Sequence, residues 1–180
     1  MAKNEKLLQI YGEGAWVYLN KPDDGFGSPG EYKITLKVPK AKAGTLIRDI
    51  EQVITQEGKT NNTNGMVKKK PFKVIGDIVE FKLHSQFKPV LWDKDQNKLD
   101  EKIQVWSGST MWVNCKASGY TKSTGTGATL LLGSVQIDHL VEGTGTKSDT
   151  CPFPKRAGSA LPGPETIPVP FQTKEERRKI

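Results

Sequence analysis

The sequence is poor in cysteine, histidine and arginine, and it has no long apolar run. Its 180 residues include 2 cysteines and 2 histidines, too few for a disulfide framework or a four-ligand zinc site. No stretch approaches the roughly 18 apolar residues of a membrane span, and the first residues lack the apolar segment of a secretory signal. The composition therefore predicts reduced thiols, no bound metal or other cofactor, and no membrane partner.

Arginine is scarce in a chain that is basic overall. Of the 27 positive residues only 4 are Arg and 23 are Lys, and the formal net charge is +7. Arginine reads guanine edges with paired hydrogen bonds, whereas lysine is a flexible point charge that suits phosphate. This balance favours contact with the backbone of a polyanion over sequence reading, although a protein that is basic for unrelated reasons has the same composition.

Alternating apolar and polar residues predict β-strands up to about residue 142. Gly133 is expected to mark a bulge or a bend in the last strand. Tyr32, Phe81, Phe87 and Trp16 are predicted to fill the interior. The alternating segments are 7–19 (interrupted at 12–14), 31–38, 77–88, 109–117 and 128–141.

One segment between the second and third strands has helical spacing, and Gly58 is expected to end that helix. The order strand, strand, helix, strand, strand, strand predicts a mostly β protein, a small closed barrel capped by its helix. The helical positions are Leu46, Ile47, Ile50, Val53 and Ile54.

The composition changes at residue 143. The last 38 residues hold six of the eleven prolines and show little periodicity. The sequence therefore predicts a barrel domain over 1–142 and a Pro-rich, extended tail over 143–180.

No segment has the pattern of an enzyme active site. Gly58-Lys59-Thr60 resembles the end of a phosphate-binding loop, but it follows a helix instead of preceding one. The carboxylates are not spaced for paired acid–base work, and no Ser, Cys or Thr lies in a nucleophile elbow. We therefore expect no catalytic residue.

Lysines recur on the polar faces of the predicted strands, and aromatic residues are interleaved with them. A ring beside an ammonium group can stack on an unpaired base while the ammonium contacts phosphate, and a duplex hides the base faces that stacking needs. This pattern predicts binding of single-stranded nucleic acid along one concave strip, the alternative being ordinary surface lysines and core rings. The predicted phosphate contacts are Lys33, Lys37, Lys82, Lys88 and Lys116, with Lys68, Lys69 and Lys70 in a flexible loop, and the predicted stacking residues are Trp92 and Trp112, then Trp106 and Tyr120.

Several segments of the chain form a distinctive set. They are AWVYLNKPD at 15–23, Phe26, GEYKITL at 30–36, WSGSTMWV at 106–113 and GSVQI at 133–137. Together they resemble bacteriophage single-stranded DNA-binding proteins of the short-tailed phage replication type. The segments up to residue 36 resemble that family's early strand, turn and second strand, and the later ones resemble its last two core strands. The resemblance spans about residues 7–142.

The resemblance implies an OB-fold, a five-stranded Greek-key barrel with one amphipathic helix. It also implies cooperative or dimeric coating of unpaired DNA during phage DNA replication and recombination, in the cytoplasm of the infected bacterium. The implied partners are single-stranded DNA, the phage DNA polymerase and helicase-primase, and a second copy in a homodimer. Members of the family commonly end in an acidic tail that docks replication proteins, whereas this chain ends EERRKI, so docking is expected to differ.

Three alternatives remain open from the residues. An RNA-binding OB protein is one, because no sequence pattern reports on recognition of the 2′-hydroxyl. A phage structural or assembly protein with a basic interaction face is another. A nuclease is the third, and it requires clustered carboxylates that bind a divalent metal.

Overall fold

The computed structural model describes residues 4–25, 30–63 and 68–141. The predicted tail at 143–180 lies outside these described residues. Within them, the predicted order of five long strands with a helix after the second is confirmed, and three short strands are added. The elements are β1 (Glu5–Asp23), β2 (Glu31–Pro39), α1 (Lys40–Thr60), β3 (Lys68–Lys69), β4 (Phe72–Ile75), β5 (Ile78–Ser85), β6 (Leu91–Trp92), β7 (Thr110–Lys122) and β8 (Gly125–His139).

The five long strands close into a barrel. β1 lies between β2 and β7, and antiparallel pairing continues from β2 to β5 and from β7 to β8. The barrel closes where β5 and β8 run parallel, with Leu83 opposite Leu130 and His84 opposite Leu131. This order is that of the Greek-key OB barrel, so the predicted fold class is confirmed.

Strand alternation places the apolar residues inside the barrel. Ile34, Leu36 and Val38 of β2 are buried, and so are Phe81 of β5 and Val113 of β7. The helix contacts all five barrel strands, so it covers one end of the barrel. The polar positions of the same strands consequently face outward and form the surface available to a ligand.

The helix is longer than its periodicity predicted. It begins directly after Pro39, whose φ of −56° suits a helix start, and it continues past Gly58 to Thr60. Gly58 is buried within the helix and does not end it, so this part of the prediction is wrong. The described part of the chain contains no helix with the length and apolar character needed to span a membrane.

The expected interruption of β1 at 12–14 is wrong, because the strand is irregular slightly later. Gly14 pairs with Leu36, and a Cβ at Gly12 would lie 2.7 Å from the carbonyl oxygen of Lys37. These glycines therefore allow close approach of β2 within a continuous strand. The register shifts instead between Ala15 and Tyr18.

Candidate nucleic-acid interface

All four tryptophans of the chain are exposed on the outer wall of the domain. The exposed fraction of the residue is 37% for Trp92, 45% for Trp106, 47% for Trp112 and 73% for Trp16. Large aromatic side chains are usually mostly buried, because they carry the largest apolar surface of any residue. Exposure of every tryptophan therefore marks the wall as a binding surface.

Trp92 and Trp112 line one groove of about 570 Å³, which we call the neutral groove. Cross-strand register builds it, because Trp112 lies opposite Tyr11 of β1 on one side and Gln136 of β8 on the other, and Gln136 lies opposite Trp92 of β6. None of the described residues that line this groove is charged. The lining residues are Gln9, Trp92, Gln96, Trp112, Val113, Asn114, Ser134, Val135 and Gln136.

The rings of the neutral groove are held in place by polar contacts. The Trp112 and Tyr11 ring centroids lie 4.9 Å apart, and the Tyr11 hydroxyl donates to Asp138 Oδ2 at 2.9 Å. On the other side, Gln136 Nε2 donates to the carbonyl oxygen of Asp93 at 3.1 Å, which ties β8 to the turn after Trp92. Both walls are therefore positioned before any ligand arrives.

Two further devices shape this groove. In β8, Gly133 and Ser134 together lie opposite Asn114 alone, so the predicted bulge at Gly133 is confirmed. In the turn after β6, the Asp93 carboxylate accepts hydrogen bonds from the backbone N–H groups of Asn97 and Asp95, each 2.8 Å long. The backbone bond from Asn97 is the main cause that lowers the pKa of Asp93, which stays ionised at neutral pH.

A second groove, of about 630 Å³, lies on the outer face of β1, β2 and β5, and we call it the charged groove. Lys33 Nζ lies 5.2 Å from the ring centroid of Tyr18 and pairs with the Asp23 carboxylate. Lys82 lines the same groove and has no ion-pair partner among the residues the structure describes. The lining residues are Trp16, Tyr18, Asp23, Glu31, Lys33, Ile34, Thr35, Glu80, Lys82, Leu83 and His84.

The ion pair at the edge of the charged groove shifts the pKa values of both Asp23 and Lys33. The hydrogen bond from Lys33 lowers the pKa of the Asp23 carboxyl, and the bond to Asp23 raises the pKa of Lys33. Both groups are therefore ionised throughout the neutral pH range. Both side chains are also partly exposed to solvent, where ion pairs are weak, so a phosphate can compete with Asp23 for the ammonium.

Trp16 projects from β1 at the register shift, and its predicted place inside the barrel is wrong. Its φ of 50° is in the left-handed region that side chains rarely adopt, and this turn of the backbone aims the ring outward. Trp16 and Tyr18 also line a third groove of about 420 Å³ together with Trp106. The third groove and the charged groove are thus adjacent and share two aromatic residues.

Phe87 is a second error in the predicted interior. β5 ends at Ser85, so the alternation that would place Phe87 inside does not reach it, and the residue is 81% exposed. Phe87 lines none of the three grooves. Phe81 is fully buried as predicted, and Tyr32 is half-buried against the core.

The predicted lysines do not form one strip with the rings, because they are divided among several parts of the wall. Lys33 and Lys82 lie in the charged groove, whereas Lys37 has Glu13 and Glu80 as its cross-strand neighbours. Three others pair with glutamates at exposed positions. These pairs are Lys70 with Glu51, Lys88 with Glu101 and Lys116 with Glu5.

Lys68 and Lys69 were expected in a loop, but they form the short strand β3 beside β8. Lys69 lies opposite Gly127, which is also the partner of Tyr120, so these predicted residues meet near the β7–β8 turn. Lys69 Nζ donates to Thr124 Oγ1 at 3.1 Å, and Lys122 Nζ lies 5.5 Å from the Tyr120 ring centroid. This cluster lies apart from the residues that line the grooves.

Several groove residues were not found from the sequence. Trp16 was predicted to lie inside the barrel, and Tyr18 was not among the predicted stacking residues. The glycines at 12 and 14 do not locate the register shift, which lies between Ala15 and Tyr18. Gln9 and Asn114 carry no distinctive sequence signal, because amides on the polar face of a strand are ordinary. Over 4–25, 30–63 and 68–141, no group of three His, Cys, Asp or Glu side chains is arranged to hold a metal ion.

The fold is similar to solved structures of phage single-stranded DNA-binding proteins. Bacteriophage T7 gp2.5 is 20% identical, with a TM-score of 0.64 over 81% of this chain and 98% of that chain. The single-stranded DNA-binding protein of bacteriophage Enc34, in complex with ssDNA, is 17% identical, with a TM-score of 0.64 over 81% of this chain and 96% of that chain. A C-terminally truncated form of the Enc34 protein is 16% identical, with a TM-score of 0.63 over 79% of this chain and 93% of that chain.

No protein-family model matches the sequence, and no curated protein matches it. The similarity to the phage proteins is therefore one of fold, and the fold that the sequence resemblance implied is confirmed.

Proposed function

We propose that the protein binds single-stranded DNA without strong sequence preference, by stacking unpaired bases on exposed rings while lysines hold phosphates. The observation that carries this proposal is that every tryptophan lies on the outer wall of an OB barrel and lines a groove. Stacking on an aromatic side chain contributes about 1–3 kcal/mol per base and tolerates any base. No bond is made or broken in this role, so we expect no catalysis.

The charged groove is the main proposed path of the strand. OB barrels bind oligonucleotides across the face of their second and third strands and the adjoining loops. Here those strands are β2 and β5, and their outer face carries Lys33 and Lys82 beside Trp16 and Tyr18. The Enc34 protein, which has the same fold, is described in complex with ssDNA, and this supports the proposal.

The remaining predicted residues are proposed as secondary contacts. Trp92 and Trp112 stack bases in the neutral groove, and Trp106 stacks one in the third groove. Tyr120 offers a ring near the β7–β8 turn. The secondary phosphate contacts are Lys37, Lys68, Lys69, Lys70, Lys88 and Lys116.

The first test is a titration of tryptophan fluorescence with oligo-dT and with a duplex of equal length. We expect strong quenching by oligo-dT and much weaker binding of the duplex, since a duplex hides its base faces. Equal affinity for the two would contradict the proposal. Absence of quenching would favour an assembly protein whose basic face meets another protein.

The second test is the salt dependence of oligo-dT affinity for Lys82→Ala. Loss of one phosphate contact should reduce the slope of log affinity against log salt by about 0.7. Lys42→Ala is the matched control, because Lys42 is exposed on α1 and lines none of the grooves. An unchanged slope for Lys82→Ala would remove this residue from the proposed path.

Two further measurements address the rival functions. Competition between oligo-dT and oligo-U of equal length compares DNA with RNA, and preference for oligo-U would indicate an RNA-binding protein. Incubation of DNA with the protein and Mg²⁺ tests for a nuclease, and we expect the DNA to remain intact.

We also propose a setting for this binding. The protein serves phage DNA replication and recombination in the cytoplasm of the infected bacterium, as a homodimer that works with the phage DNA polymerase and helicase-primase. Light scattering of the purified protein checks the homodimer, with a mass near twice the 19.9 kDa of the chain as the expected result.

A further inference from the structure

The neutral groove contains two amide side chains that have no hydrogen-bond partner among the residues described by the structure. Gln9 of β1 and Asn114 of β7 are cross-strand neighbours on the outer face of the barrel, and both are exposed. Neither carboxamide makes a hydrogen bond with any other residue in the described parts of the chain. Gln136, in contrast, donates its amide N–H groups to the backbone carbonyl oxygens of Asp93 and Lys94.

These free amides lie between two tryptophan walls. Trp112 is the next outward residue of β7 before Asn114, and Trp92 lines the groove from β6. A planar ligand that stacks on Trp92 or Trp112 would lie in the same groove as the two carboxamides, so its edge would face them. The site thus offers a stacking face together with unused donors and acceptors.

The lining of the groove identifies which part of a nucleotide it suits. The chain has a net charge of +7, yet none of the described residues that line this groove is charged, so the groove does not favour phosphate. The uncharged part of a nucleotide that can stack on a ring is its base. A carboxamide presents a donor and an acceptor side by side, which matches the adjacent N6 amino group and ring nitrogen of adenine.

We infer that the neutral groove is a base-selective subsite that takes an unpaired purine, adenine above all. Adenine offers a donor beside an acceptor on both of its exposed edges, whereas guanine offers two acceptors on one edge. Thymine has a single such edge and a smaller ring to stack. This inference rests on the proposed function and adds a modest preference for adenine to otherwise general binding.

The test compares the affinities for oligo-dA and oligo-dT of equal length in the wild type, Asn114→Ala and Gln9→Ala. The quantity measured is the ratio of the two dissociation constants, and self-stacking of oligo-dA cancels when ratios of different variants are compared. We expect the preference for oligo-dA to fall about fivefold or more in each variant. Gln52→Ala is the matched control, because Gln52 is an exposed amide on α1, outside the neutral groove.

The outcomes separate the subsite from the function on which it rests. An unchanged ratio in both amide variants would overturn the base-selective subsite while leaving single-stranded DNA binding intact. Failure of the wild type to bind either oligonucleotide would overturn the proposed function itself. Gln9 and Asn114 are both exposed and lie on different strands. If one of the two alanine variants does not fold, the other still gives the ratio of dissociation constants.

Discussion

The neutral groove and the charged groove are of similar size but of opposite chemical character. Each holds exposed rings, yet the charged groove is lined by Lys33, Lys82, Asp23 and other ionised groups, while the neutral groove is lined by amides. Both are built on β1, whose register shift near residue 16 separates Tyr11 on one side from Tyr18 on the other. One strand therefore contributes Gln9 to the neutral groove and Trp16 and Tyr18 to the charged groove.

Under the proposed function, this difference predicts that the two grooves hold different parts of a single strand of DNA. Binding in the charged groove should weaken as salt rises, because phosphate contacts release counterions. Binding in the neutral groove should depend little on salt and more on base identity, because stacking and amide hydrogen bonds dominate there. The following predictions test this contrast, beginning with the largest expected effect.

Removal of the Trp16 ring should have the largest effect on binding. Trp16 lines both the charged groove and the third groove, so Trp16→Ala should weaken oligo-dT binding about tenfold or more with little change in salt slope. Phe87→Ala is the matched control, since Phe87 is equally exposed but lines no groove. Equal losses in the two variants would show that general surface hydrophobicity, and not the groove, holds the strand.

A methyl group at Gly133 should damage the neutral groove alone. The added Cβ would lie 2.7 Å from the carbonyl oxygen of Asn114, so Gly133→Ala must shift the bulge beside that residue. We expect the free energy of unfolding to fall by about 1–3 kcal/mol in a denaturant titration. The preference for oligo-dA should fall while the salt slope is kept, and a changed salt slope would mean that the grooves are coupled.

Release of Lys33 should strengthen the charged groove. Asp23→Asn removes the carboxylate that pairs with this lysine, so oligo-dT affinity at low salt should rise about threefold and the salt slope should steepen. Asp95→Asn makes the same charge change in the turn beside the neutral groove and should have a smaller effect. Equal affinities of the two variants would show that Asp23 acts only through the net charge of the protein and not through its pairing with Lys33.

The same ion pair predicts how binding responds to acid. The pKa of Asp23 is lowered from 3.8 and that of Lys33 is raised from 10.5, so the pair is fully ionised between pH 6 and pH 8. Protonation of Asp23, which frees Lys33, needs a pH below 3.8. Titration of this pair should therefore add no pH dependence to oligo-dT affinity across the neutral range, and the pH profile should have the same shape in the wild type and in Asp23→Asn.

The smallest effects are expected at lysines that are paired outside the grooves. Lys88 pairs with Glu101 at 3.0 Å and Lys116 pairs with Glu5 at 3.0 Å, so much of each charge is already compensated. Lys88→Ala and Lys116→Ala should each change oligo-dT affinity by less than about twofold. A loss as large as that of Lys82→Ala would extend the phosphate path beyond the charged groove.

Much of the fold was predictable because alternation and burial agree along most strands. The inward residues of β2, β5 and β7 follow from a period of two, and the position of the helix after the second strand follows from its helical spacing. The prediction failed at Trp16, where a left-handed backbone residue in a register shift reverses the side that a ring faces. It failed at Phe87 because β5 ends two residues earlier, and strand ends are set by tertiary pairing.

For the candidate site, the sequence predicted which individual side chains face outward but not how they are grouped. The outward faces of Trp112 and Lys82 followed from local alternation, which needs no knowledge of other strands. Their separation into different grooves depends on which strands become neighbours, and that is decided by barrel closure between β5 and β8. For the same reason, nothing in the local sequence distinguished Gln9 and Asn114 from other surface amides.

The bulge in β8 gives this strand two successive neighbours. Before the bulge β8 pairs with β5 and closes the barrel, and after it β8 pairs with β6, whose hairpin is held by its own bonds between Leu91 and Leu99. The sequence of this hairpin can therefore be changed without breaking the β5–β8 pairing that closes the barrel. Swapping the segment 93–97 for turns of other composition offers a route to retarget base preference while leaving general affinity in place.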